Sequence, residues 1–162
     1  MTAQQQSPGR GVGAVGDPRL TIAPRPGRRT WCIEIPFAGE WLTANRGSRY
    51  RHGSTAWRDA ANIACANARL PKGITPVELH LVCWYHTARA PVRDRLNLAP
   101  TIKAIVDGLT PKVVSSRNGR PHTRGGYGLL PDDSDRHVLE TTWMLQPGTR
   151  PRVGLFIAEV LG

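Results

Sequence analysis

Asp94, Asp107 and the pair Asp132-Asp133 fall in one stretch of a chain that carries 22 basic against 12 acidic residues, a formal net charge of +10. Carboxylates gathered in basic surroundings raise an electrostatic question, because like charges close together raise one another's pKa unless a cation compensates. Two compensations are at hand. Lys103 stands four residues before Asp107, and hard carboxylate oxygens are the ligands that Mg²⁺ takes. A cation so held neutralises charge on the attacking and leaving oxygens when a phosphodiester is cleaved. The chemistry these residue types allow is metal-assisted hydrolysis of a nucleic-acid backbone, with the basic surroundings holding the polyanion.

Such residues work only if secondary structure aims them at one another. Val77 to Tyr85 alternates at first and then turns apolar on both faces, which predicts a central strand. The chain leaves it through Thr87 to Arg93 and reaches Asp94, a carboxylate fixed by a strand end and exposed by a loop. Pro100 suits the first turn of a helix that starts at Ala99, and Leu98, Ile102, Ile105, Val106 and Leu109 form its apolar face. Lys103 and Asp107 share the flank of that face. Taken alone, that pair reads as an ordinary i,i+4 salt bridge. Asp132, Asp133 and Asp135 precede a further strand, His137 to Leu145. An acidic turn before a strand is commonplace, and its coupling to Asp94 is what would set it apart. The segments after Tyr85 and before His137 would bring the carboxylates together if the two strands are neighbours in one sheet.

The remaining elements complete a fold. Trp31 to Ile35 reads as a strand closed by Pro36, and Ser54 or Thr55 can cap a helix to about Arg69. Trp57, Ala61, Ala64, Cys65 and Ala68 form its core stripe, and Leu70-Pro71 stops it. Arg152 to Val160 reads as a last strand after Gln146-Pro147-Gly148. The expected class is α/β: a small mixed sheet of roughly four strands with two helices packed on it, in the order βαβαββ, as one domain over 30–162. Residues 1–29, rich in Gln, Gly, Pro and Arg, read as a disordered basic arm. The loop from Gly39 to Gly53 interleaves Asn45, Arg46, Arg49, Arg51 and His52 with Trp41 and Tyr50. It could grip phosphates and stack bases, or its aromatics could anchor it to the core, and the sequence leaves both open.

Composition narrows the setting. A sequence pI near 10.7 favours an anionic partner, and Arg makes bidentate phosphate contacts that Lys cannot. Cys32, Cys65 and Cys83 lie far apart in apolar contexts without a C-x-x-C pair, which favours buried free thiols over disulfides or zinc. No apolar run reaches membrane-spanning length and no signal-peptide core is seen, so a soluble cytoplasmic protein is expected. His80 and His86 read as structural or solvent-facing residues, not ligands.

The order Arg93-Asp94-Arg95-Leu96-Asn97, Lys103 with Asp107-Gly108-Leu109, and Leu130-Pro131-Asp132-Asp133 resembles the RusA family of Holliday junction resolvases, small endonucleases of bacteria and their phages. The resemblance extends to Ile35-Pro36-Phe37, Asn45-Arg46, Tyr50-Arg51-His52, Trp57-Arg58-Asp59 and the last strand. It implies a RusA-like fold and a homodimer that cuts four-way DNA junctions symmetrically with Mg²⁺, Mn²⁺ being an alternative metal. It implies that Asp94 and Asp133 bind the metal, with Asp132 and Asp107 as further ligands or orienters. Lys103 would stabilise charge or protonate the leaving oxygen. Branched DNA would be held by Asn45, Arg46, Arg49, Arg51, Arg93, Arg117, Arg120 and Arg124, inside a bacterium or a phage-infected host cell. Two positions depart from the family. Leu96 stands where its second Asp of Asp-x-Asp-Asn is expected, leaving the implied site one carboxylate short, and Thr110 to Leu130 is an insertion, expected as a flexible phosphate-gripping arm that includes Lys112. The rival readings are a non-catalytic, structure-specific DNA-binding protein on the same scaffold and a basic RNA-binding module.

Overall fold

A computed structural model describes residues 28–44, 50–86 and 94–160, and only the backbone of Tyr50, Arg51, Arg117, Thr123 and Arg124. The elements run β1 (Thr30–Pro36), α1 (Tyr50–Asn67), β2 (Val77–His86), a 3-10 turn (Arg95–Leu98), α2 (Ala99–Leu109), β3 (Pro111–Arg117), β4 (Arg120–Tyr127), β5 (Val138–Gly148) and β6 (Arg152–Glu159). Four strands form a mixed sheet in the order β1-β6-β2-β5, with β2 and β5 parallel and the other pairs antiparallel. The expected α/β class, with a four-stranded mixed sheet and two helices, is present. No helix among the described residues is long and apolar enough to cross a membrane.

Alternation explains which face is covered. Ile33, Ile35, Leu79, Leu81, Cys83, Val153, Leu155 and Ile157 take alternate positions on adjacent strands and are buried. They meet Trp57, Ala61 and Cys65 of α1 and Ile102, Ile105 and Leu109 of α2 in one cluster. Ala68, expected in that stripe, lies in the turn after α1 and is exposed. The helices cross closely at Gly108, where an added Cβ would sit 2.6 Å from the Arg58 carbonyl oxygen and 3.0 Å from the Ala61 Cβ. Trp41 stacks on Trp57 at 5.4 Å between ring centroids, and the Trp57 indole donates to the Glu40 carbonyl at 2.8 Å. Of the two readings of the 39–53 loop, Trp41 follows the core one.

Several expectations are corrected. The insertion is a second, two-stranded sheet of β3 and β4, so the element order is βαβαββββ. Arg117 and Arg120 pair across Asn118 and Gly119, whose φ angles are +53° and +72°. That is the positive-φ pair of a type I′ hairpin, and Asn-Gly is its strongest short signal. Helix α1 begins at Tyr50, ahead of Ser54 and Thr55. Arg28 and Arg29, assigned to the arm, pair with Glu78 at 2.7 Å and Glu159 at 2.6 Å on the folded domain; the rest of the expected arm, residues 1–27, lies outside the described residues. Cys32 is exposed, because it alternates with the inward Ile33 on an edge strand. Cys65 and Cys83 are buried, and burial pushes both thiols up to about 12.

Candidate active site

Helix α2 is fastened at both ends. Near its start, the buried Thr101 hydroxyl donates to the Leu42 carbonyl and accepts from the Leu42 N–H, each at 2.9 Å. Just upstream, a carboxylate oxygen of Asp94 accepts from the Leu96 N–H at 2.9 Å and caps the 3-10 turn. At the far end, the Thr110 hydroxyl donates to the Asp107 carbonyl at 2.8 Å, and Leu130 N–H donates to Leu109 O at 3.1 Å. The chain returning from the hairpin is thereby stitched onto the C-terminus of α2, with Leu129 and Leu130 fully buried. Pro131, Asp132 and Asp133 follow directly and come to lie beside the Lys103–Asp107 flank.

The outcome is a two-carboxylate clamp on one ammonium. Lys103 Nζ donates to Asp107 Oδ1 at 2.5 Å and to Asp133 Oδ2. Burial opposes the Lys103 charge, but bonds and attraction from Asp107 and Asp133 outweigh it and hold the ammonium above its usual range. The Lys103 hydrogen bond holds Asp133 below the usual carboxylate range. Asp132 is lowered by Ser134, whose hydroxyl donates to it at 2.5 Å and whose N–H donates at 2.8 Å. The group lines an open cleft of about 330 Å³ that is shared with Val113 and Gly125 at the base of the hairpin.

Asp107, Asp132, Asp133 and Lys103 are brought to one cleft, whereas Asp94 is not among its lining residues. Among the described residues, no three His, Cys, Asp or Glu side chains converge as a metal cage. The ends of β2 and β5 do not supply the expected meeting point. β2 and β5 are neighbours as expected, but they are parallel, with Val77 opposite Val138 and His86 opposite Gly148. The end of β2 and the start of β5 are thus at opposite ends of the sheet, about 30 Å apart at the rise of a strand. The turn after Asp94 lies against the middle of β5 instead, where the Trp143 indole donates to Arg95 O at 2.9 Å. Residues 95–98 form a helical turn, not an extended segment, so Leu96 does not repeat the direction of Asp94; its side chain is 60% exposed.

Asn45, Arg46, Arg49 and Arg93 lie outside the described residues. Arg51 falls in the first turn of α1, and Arg117, Arg120 and Arg124 are in the hairpin. The sequence reading missed Ser134, Thr75 and His137. His137 Nδ1 lies 2.7 Å from the Thr75 hydroxyl, and its Nε2 faces Asp132 at 3.5 Å. The Asp132-x-Ser134 spacing was a usable signal, since Asp commonly bonds the backbone two residues on; the distant Thr75 left none.

Asp107 and Asp133 suit Mg²⁺ in kind and number: both offer hard oxygens, both reach a single cationic atom, and Mg²⁺ takes one or two carboxylates and keeps several waters. Comparison with known proteins finds no family model and no curated protein that matches this chain.

Proposed function

We propose that this protein is a Mg²⁺-dependent, structure-specific endonuclease that resolves four-way DNA junctions. The observation that carries the reading is the clamp of Asp107 and Asp133 on Lys103, at an open cleft in a chain of net charge +10. The motif resemblance to RusA resolvases selects branched DNA as the substrate. Asp107 and Asp133 would hold the cation, with Asp132 orienting from the same cleft. When bound, the cation supplies charge neutralisation at the phosphodiester and a water of lowered pKa. Lys103 turns from the carboxylates to the phosphate. There its ammonium would stabilise charge on the non-bridging oxygens. Two symmetric cuts in a twofold junction call for two sites, hence a twofold dimer.

A non-catalytic junction-binding protein is the second reading, favoured by the apolar, exposed Leu96 where the resemblance calls for a carboxylate. Incubation of the purified protein with an end-labelled synthetic junction, with and without Mg²⁺, decides between them. Symmetric nicks that require the metal support the nuclease, and tight binding without nicks supports the second reading.

A further inference from the structure

The β3–β4 ribbon segregates its charge. Residues directly opposite each other in an antiparallel pair share a face of the pleat. The register Val113↔Arg124, Ser115↔His122 and Arg117↔Arg120 therefore puts three arginine positions and a histidine on one face. The pairs Val114↔Thr123 and Ser116↔Pro121 form the other, which carries no charge. A bulge at the base leaves Lys112 outside these pairs. The basic face is continuous with the cleft, since Val113, at its foot, lines that cleft together with Asp107 and Asp133.

The ribbon is built to stand away from the body. Its base is packed: an added Cβ at Gly126 would sit 2.3 Å from the Gly108 carbonyl oxygen and 3.1 Å from Asn62, so β4 lies tight on both helices there. Beyond the base, Lys112 to Ser116 are all exposed, including Val114 at 64%. At about 3.3 Å per residue the strands reach roughly 20 Å, and the major groove of DNA admits a two-stranded ribbon. The tight Asn118-Gly119 turn sets the shape of the tip before any ligand arrives, which lowers the ordering cost of binding.

We propose that the β3–β4 ribbon grips a duplex arm through one face only, with positions 117, 120, 122 and 124 against the phosphates and the opposite face turned away. The choice of DNA as the ligand rests on the function proposed above.

Fluorescence anisotropy with a short labelled duplex in EDTA measures binding apart from cleavage. The triple variant Arg117→Ser/Arg120→Ser/Arg124→Ser should lower the slope of log K against log salt by about 0.9 for each phosphate that is no longer neutralised. Adding Val114→Arg/Ser116→Arg/Thr123→Arg to that variant restores the net charge on the wrong face, and the slope should stay low. An unchanged slope in the triple variant, or full recovery on transposition, overturns the proposal. Arg120→Ser alone, which should lower the slope by about 0.9, covers the case in which the multiple variants lose the hairpin. A parent that fails to cut junctions yet shows the face-dependent slope would overturn the nuclease and leave the ribbon standing; a parent that cuts while the triple variant keeps its slope would do the reverse.

Discussion

Lys103→Met keeps the length of the stem and removes the ammonium, which should move three properties in different directions. In the metal-free protein it breaks the bonds to Asp107 and Asp133. The side chains of Lys103, Asp107 and Asp133 are 57%, 34% and 42% exposed, so water screens both pairs and each is worth about 0.2–1 kcal/mol. A combined loss of about 1 kcal/mol lowers the melting temperature of a domain of this size by about 2–4 °C. Cation affinity should rise. A unit charge about 4 Å from a divalent ion costs about 2 kcal/mol at the dielectric constant of water. Salt trims this, and 1.4 kcal/mol is a factor of ten, so Lys103→Met should bind Mn²⁺ about tenfold more tightly. Junction cleavage should fall despite the tighter metal. Calorimetric or electron-paramagnetic titration of Mn²⁺ against parent and variant reads the affinity, and melting with and without EDTA reads the stability. A variant that binds Mn²⁺ no better than the parent refutes the reasoning, because Lys103 and the cation would then not share Asp107 and Asp133.

The remaining predictions concern acid stability, the role of Asp94 and the helix crossing. Asp133 has a lowered folded-state pKa, so its contribution is full above the ordinary carboxylate pKa and is lost as pH falls through the lowered value; the metal-free melting temperature should drop below about pH 4, and Lys103→Met should flatten that drop in a melting series over pH. If Asp94 acts by capping its turn, Asp94→Asn should keep the melting temperature, whereas Asp94→Ala should lose about 1 kcal/mol; cleavage lost in Asp94→Asn at unchanged stability would add Asp94 to the residues that hold the cation. Gly108→Ala gains up to about 1 kcal/mol of helix propensity but drives a methyl to 2.6 Å from the Arg58 carbonyl oxygen, an overpacking that costs about 1–3 kcal/mol. Its melting temperature should therefore fall, and a rise would mean that the helices do not meet at Gly108.

Much of the framework was legible because it follows from the period of the apolar residues. β2 reads as an inner strand and lies between β6 and β5, with Leu79, Leu81 and Cys83 in the core beneath the helices and Val82 and Trp84 buried as well, and α2 spans Ala99–Leu109 with its apolar face inward, as Pro100 and the spacing of Leu98 to Leu109 indicate. The Lys103–Asp107 pair follows from helix geometry alone. The hairpin carried a local signal as well, the Asn118-Gly119 dipeptide at its turn. Two features depended on the assembled chain. Asp133 reaches Lys103 because Leu130 is stitched to Leu109, and the end of β2 and the start of β5 fall at opposite ends of the sheet because the two strands run in the same direction. A linear sequence fixes neighbours along one helix or strand through their repeat. Strand direction, and the contacts between segments distant in sequence, are decided by how the whole chain buries its apolar faces, and that is a property of the tertiary structure.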